Sequence, residues 1–310
     1  MSKRTEAIVM RVGLQVPYFT WPGGPEALGE TFAGVARRAE DAGFASFWVM
    51  DHFFQLPGLG PIDVEMLEGY SALAFAAAHT SRIKLGTMVT GVTYRNPGVL
   101  VKTATTLDVL SGGRAYLGIG AAWFEREHLG LGVPFPPLKE RFERLEDALR
   151  IAKQMWSDDS GPFAGKHYQM AETICVPRPV SKPHPPILIG GRGPKKTMRL
   201  VAKYGDAVNI VGVQMNDEGV AFVGGLLEAV KGHCEREGTD YGRIEKTVLL
   251  TLMLRDEAEG RWQTATQVLG LLRKFRDIGI DQVIFNMPDV DKPETLGRVG
   301  ERVIAPVAGW

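Results

Sequence analysis

Cysteine is scarce in this chain of 310 residues, which carries only Cys175 and Cys234. Two cysteines make no disulfide framework, and their separation matches no zinc-type spacing. Each reads as a small buried hydrophobe. Long apolar runs are missing as well, since no window approaches the roughly 18 uninterrupted apolar residues of a membrane span. The opening stretch "MSKRTEAIVMRVGLQVPYF" has no apolar core long enough for a signal peptide before Arg11 interrupts it. Charge of one sign is not in excess either. Lys+Arg and Asp+Glu number 36 each, so no global field draws nucleic acid or an anionic membrane. The expectation is a cytoplasmic protein that works on a small molecule.

What the chain does contain is a rhythm. Short apolar runs fall at 11–17, 46–50, 82–91, 115–120, 187–191, 207–212, 246–254 and 282–287, each followed by a longer amphipathic stretch. The stretch at 137–156 repeats apolar residues at three and four positions through Phe142, Leu145, Leu149 and Ala152, as a helix packed on one face does. Strands that read as continuous apolar runs suit a parallel sheet covered by helices. Eight strand–helix units in one chain fit a (β/α)₈ TIM barrel. A doubly wound open sheet is the competing architecture, but no second composition regime divides the chain, so residues 1–310 are expected to form one barrel domain. Residues 158–185 break the rhythm between the fourth helix and the fifth strand. They read as an inserted hairpin, serving as a lid or a dimer element.

Barrel chemistry gathers at the C-terminal ends of the strands. The second strand ends in Asp51 and His52, two titratable groups that are costly to desolvate. Neighbours in a strand point to opposite sides, so both reach the rim only if the strand has already ended. Histidine is the side chain most easily tuned to exchange protons near neutral pH. In "GGRGPKKT" (190–197), glycines at a strand end lead into a helix, an arrangement that lets backbone N–H groups approach an anion. Arg192, Lys195 and Lys196 add positive charge there. Glu125 and His128 have the E-x-x-H spacing of di-iron helices, but such a site needs a second copy that the chain lacks. No metal is expected. Arg95 and Asn96 precede Pro97 and read as the cap of the next helix rather than as cofactor contacts. The Gly/Pro-punctuated loop 51–67 reads as a lid.

The segments "GTMVTGVTYRNP" (86–97), "IGGRGPKK" (189–196) and above all "TLDVLSGGRAYLGIGAAWFEREH" (106–128) together resemble the bacterial luciferase-like flavin and deazaflavin oxidoreductases. The likeness is strongest to the branch using coenzyme F420 and runs from about Val12 to Asp206. It implies an enzyme that moves a hydride between C5 of the deazaflavin and a small organic substrate, commonly as a homodimer. FMN is the alternative cofactor, which would make the protein a monooxygenase supplied by a reductase. A barrel that only binds, without catalysis, is the third reading, and the intact Asp51-His52 pair argues against it.

The resemblance also implies site residues. A bulge in the third strand, with a non-proline cis peptide at Met88-Val89 and with Thr87, Thr90 and Gly91 beside it, would back the cofactor ring. Further contacts would come from Asp51, from Gly118, Gly120, Ala121, Trp123 and His128, and from Gly190, Gly191, Arg192 and Gly193. His52 would be the general acid/base, with Asp51 orienting it and Glu125 as a further acid. The chain departs from the sugar-phosphate dehydrogenase branch at "GIGAAW", where Trp123 stands at the position of that branch's acidic residue. A sugar phosphate is therefore not the expected substrate.

Overall fold

Nine strands, all paired in parallel, form the main sheet of the computed structural model, which describes residues 10–257 and 259–310. The first half of the stretch read for a signal peptide, residues 1–9, lies outside the described residues. The order along the chain begins β1 (Arg11–Val16), α1 (Gly24–Asp41), β2 (Ser46–Val49), α2 (Gly69–Ala78), β3 (Lys84–Thr87), β4 (Thr90–Gly91), α3 (Pro97–Leu110) and β5 (Leu117–Gly120). It continues through α4 (Glu125–Leu131), α5 (Leu138–Met155), β6 (Phe163–Ala164), β7 (Gln169–Met170), β8 (Ile187–Gly190), α6 (Thr197–Tyr204) and β9 (Ala207–Ile210). It ends with α7 (Asp217–Glu237), β10 (Glu245–Thr251), α8 (Ala265–Asp277), β11 (Gln282–Asn286), α9 (Pro293–Val299) and a short π turn into α10 (Ala305–Val307).

The sheet runs β3-β2-β1-β11-β10-β9-β8-β5-β4. Its two ends, β3 and β4, are halves of one barrel strand, and a bridge from Leu85 to Ala115 joins β3 to the start of the β5 segment. The result is the eight-stranded barrel expected from the sequence. Strands β2, β5 and β9 are buried along their whole length, because helices cover one side and lumen side chains fill the other. Trp48, Met88, Tyr116, Leu188, Ala207 and Ile284 make a layer of that filling. Outside, α1 buries Leu28, Phe32, Val35, Ala36 and Ala39 at helical spacing against the sheet.

Three local differences from the sequence reading matter for the site. The third strand is interrupted at Met88 and Val89. A seven-residue helix, α4, follows β5 where the sequence reading placed only a rim segment. The insertion is a minimal hairpin of two-residue strands, β6 and β7, whose flanks run along the outside of α3. Met170 packs at Gly98, and Ser181 binds Asp108 near the other end of that helix.

Glycine makes room where strands three, four and five meet. A Cβ on Gly120 would lie 2.9 Å from Val89 Cγ2, and one on Gly190 would lie 2.8 Å from Val89 Cγ1. One on Gly118 would collide with the carbonyl oxygen of Thr87, which is backbone and cannot swing away. Gly118→Ala is therefore expected to destabilise the fold by about 3 kcal/mol or more, the upper range for overpacking a tight core. Gly224→Ala, on a helix position with open space around it, should cost nothing. Denaturant unfolding of the two variants checks the contrast.

Candidate active site

β2 ends at Val49, so the strand is over before Asp51 and His52, and each side chain finds its own neighbour. They do not bond each other. Asp51 has no exposed side-chain surface and receives two hydrogen bonds from Arg95, at 2.7 and 2.8 Å. Arg95 also pairs with Glu68, the residue that caps α2 by accepting the Ser71 N–H at 2.7 Å. The guanidinium lies 5.0 Å from the centre of the Tyr70 ring, and Phe53 flanks it. Burial pushes the Asp51 carboxyl above its ordinary range, opposed by Arg95, while the two acids hold the guanidinium firmly charged. Arg95 is thus neither a helix cap nor a free cofactor contact. The cap of α3 is Asn96 alone, which accepts the Gly98 N–H at 3.0 Å.

His52 meets Glu127, with Nδ1 2.8 Å from Oε2. Glu127 accepts three further hydrogen bonds: from Tyr94 O–H at 2.7 Å, from Phe54 N–H at 3.2 Å and from Phe53 N–H. Burial alone would raise its pKa, but the His52 contact, the Phe53 amide and Tyr94 together hold the carboxyl below the ordinary range. Glu125 stands elsewhere. It is exposed in the first turn of α4, because Phe124, Glu127 and His128 take the inward face at i, i+3 and i+4. That stripe is the sequence signal that identifies Glu127, and the E-x-x-H spacing pointed to its neighbour instead.

His128 is not a cleft residue either. It is fully buried, Nδ1 donates to the Phe124 carbonyl at 2.8 Å, and Nε2 accepts from Thr93 O–H at 2.6 Å. Burial lowers its pKa. Trp123 does face out, 59% exposed, with its ring 5.7 Å from the His52 ring and stacked on Phe124.

The peptide between Met88 and Val89 is cis, at the position the resemblance indicated. Thr87 and Thr90 are buried with their hydroxyls 2.7 Å apart, and Thr90 also bonds Tyr70 at 2.8 Å. They brace the bulge, Met88 fills the lumen, and Val89 keeps exposed surface. The missing Cβ of Gly91 makes room for the Tyr94 ring. Gly118 and Gly120 seat the bulge from behind. Beyond them the chain turns at Ala122, a non-glycine residue at φ 57, whose carbonyl is held by Arg141 at 2.5 Å.

After β8, Gly191 has φ 143, and Cβ atoms on Gly191 or Gly193 would press on Thr197 within 3.0 to 3.3 Å. The backbone therefore folds tightly onto the start of α6, whose N-cap position, Lys196, supplies no side-chain cap. Arg192 and Lys195 are exposed and join no ion pair among the described residues, whereas Lys196 lies over the Phe142 ring. Open backbone donors with unpaired cations beside them fit a phosphate and an acidic tail. A cleft of about 610 Å³ opens across the barrel at the ends of β9 and β10, lined by Val213, Met215, Thr251, Met253 and Gln263. The loop 51–67 is tied to the segment after β1 at two points. Gln55 donates to the Pro17 carbonyl at 3.1 Å, and Thr20 bonds Glu65 at 2.8 Å.

The rim is the C-terminal end of a (β/α)₈ barrel, with the His52–Glu127 pair at one strand end and the glycine turn after β8 at another. The chain belongs to the luciferase-like monooxygenase family, whose profile matches residues 10–294. It is 33% identical over 226 residues to an F420-dependent glucose-6-phosphate dehydrogenase of Kineococcus radiotolerans, covering 73% of this chain but 64% of that relative. An enzyme of the same name from Amycolatopsis mediterranei is 30% identical over 332 aligned positions, 91% of this chain and 94% of the relative. The coenzyme F420-dependent tetrahydromethanopterin reductase of Methanopyrus kandleri superposes with a TM-score of 0.79 over 96% of this chain and 99% of that one, at 16% identity. At that identity the likeness is one of fold.

The Asp51–Arg95 pair yields a direct test. Arg95→Met leaves a buried carboxylate unpaired and is expected to cost about 3–5 kcal/mol. The double variant Asp51→Leu/Arg95→Met should recover much of that loss, and urea unfolding of the cycle measures the coupling.

Proposed function

We propose that this chain is an F420-dependent oxidoreductase that moves a hydride between the deazaflavin C5 and a small organic substrate. The observation that carries the reading is the cradle after β8, where uncapped helix donors and the unpaired cations Arg192 and Lys195 suit a phosphate with an acidic tail. The two relatives named as F420-dependent dehydrogenases support it. The family is equally compatible in architecture with FMN, which shares the tricyclic ring and the phosphate, and that is the second reading.

When bound, F420 supplies the two-electron hydride chemistry of its ring. The chain's own residues do the rest. Arg192 and the backbone at Gly193 would hold the phosphate, Gly190 and Gly191 would let it approach without a side chain in the way, and Val89 would back the ring. His52 serves as the general acid/base, accepting the hydroxyl proton when an alcohol is oxidised or returning it in the reverse direction. Trp123 replaces an acid with an apolar wall beside His52, which favours an apolar or uncharged substrate group over a sugar phosphate. The setting is cytoplasmic.

The protein is further read as a homodimer. A groove of about 670 Å³ between α2, α3 and the insertion is lined by Tyr70, Val99, Leu107, Leu110, Met155 and Ile174. Leu110 is 73% exposed, and Val99, Ile174 and Val176 extend the apolar area around it. Light scattering should give twice the chain mass, and Leu110→Asp should shift it to the monomer.

Fluorescence titration of the apo-protein with F420, and separately with FMN, tests the cofactor. Tight F420 binding with weak FMN binding is expected, and Arg192→Ala should weaken F420 about tenfold. His52→Ala should spare binding and lower kcat about 10²-fold or more. Preference for FMN would move the chain to the oxygen-using monooxygenases with a reductase partner.

A further inference from the structure

We infer that Glu127 is a positioning residue that fixes the tautomer of His52, placing the hydrogen on Nδ1 and leaving the Nε2 lone pair toward the rim. This deepens the oxidoreductase reading and rests on it for the role of His52, but the tautomer itself does not depend on any cofactor.

A carboxylate has about four acceptor positions and no donor. Those of Glu127 are all taken. His52 and Tyr94 bond Oε2, and the amides of Phe53 and Phe54 bond Oε1. The side chain has no exposed surface, so no water competes for it. Four donors around it favour the carboxylate form, and its pKa is held below the ordinary range. An anion can only accept, so the His52 atom that faces it, Nδ1, must carry the hydrogen. The neutral ring then has its lone pair on Nε2, which has no hydrogen-bond partner among the described residues. Trp123 and Phe124 set their rings across that of His52, at 5.7 and 6.0 Å, so turning the imidazole over would break both the packing and the bond to Glu127. Since Glu127 has no free position, it cannot take a substrate proton itself. It acts through His52.

The carboxylate also holds the backbone at Phe53 and Phe54, and the test must separate that duty from the one toward His52. Glu127→Gln does so. Its single carbonyl oxygen can still accept both amides, while its NH₂ group faces His52 and Tyr94 as a donor. His52 must then accept at Nδ1 and carry its hydrogen on Nε2. The measurement is the ¹⁵N signature of the histidine rings in labelled apo-protein, with His52 assigned by its absence in His52→Ala. The wild type is expected to show the Nδ1–H form and Glu127→Gln the Nε2–H form. The F420 dissociation constant and KM should stay within about threefold, and kcat should fall about 10²- to 10⁴-fold, as expected when a general base presents the wrong nitrogen. An Nε2–H tautomer in the wild type would overturn the inference, as would loss of kcat in Glu127→Gln with Nδ1–H retained. Should Glu127→Gln not fold, Tyr94→Phe removes one donor and leaves the His52 bond in place. It should keep the Nδ1–H form, and a change of tautomer there would also count against the role. Correct tautomers in a protein that binds no F420 would sink the cofactor reading and leave this one standing.

Discussion

Two carboxylates without exposed side-chain surface, Asp51 and Glu127, meet the chain just past the end of β2, and the rim is organised by the need to satisfy them. A buried anion left alone costs several kcal/mol, so each must draw in donors. Asp51 recruits Arg95 from the loop before α3. Glu127 recruits the imidazole and two amides of the 52–54 segment, together with Tyr94. Arg95 and Tyr94 are themselves adjacent. The two anions thus tie the ends of the second and third strands to α4 from both sides. His52 is thereby held at a fixed point of the rim.

A different economy governs the third strand. Its bulge projects Val89 toward β5 and β8, where any ordinary side chain at Gly118, Gly120 or Gly190 would already fill the space. The glycines do not merely permit a turn. Gly118 lets its backbone lie against that of Thr87, and the valine occupies a seat made of the two side chains absent at Gly120 and Gly190. The threonines on either side spend their hydroxyls on each other and on Tyr70, which leaves the valine as the exposed part of the bulge.

The barrel was legible because most strand positions are buried on both sides and long helices such as α1 and α5 repeat an apolar face, signals that survive in a single sequence. The bulge at Met88-Val89 was legible only through resemblance, since no local property of those residues marks it. Glu127 was not seen because α4 has seven residues, too short for a sustained period, and because Glu125 offered a familiar spacing to His128. The exposure of Glu125 and the burial of Glu127 follow from the helix once it is known. Arg95 was read as a helix cap for another reason. Its partner, Asp51, lies 44 positions away, and only the closed sheet brings the second and third strand ends together.

The substitution of Trp123 for an acid can now be weighed against the rest of the rim. Oxidising an alcohol to a carbonyl removes a hydride from carbon and leaves one hydroxyl proton to be accepted. That proton needs one base. Asp51 is committed to Arg95, His128 is bonded at both ring nitrogens and Glu127 is saturated by four donors, whereas His52 Nε2 has no hydrogen-bond partner among the described residues. A second acid at position 123 would add charge beside a histidine that already rests on an anion. An indole there adds none, excludes water from one edge of the imidazole and packs against Phe124. The indole leaves the bond between His52 and Glu127 in place.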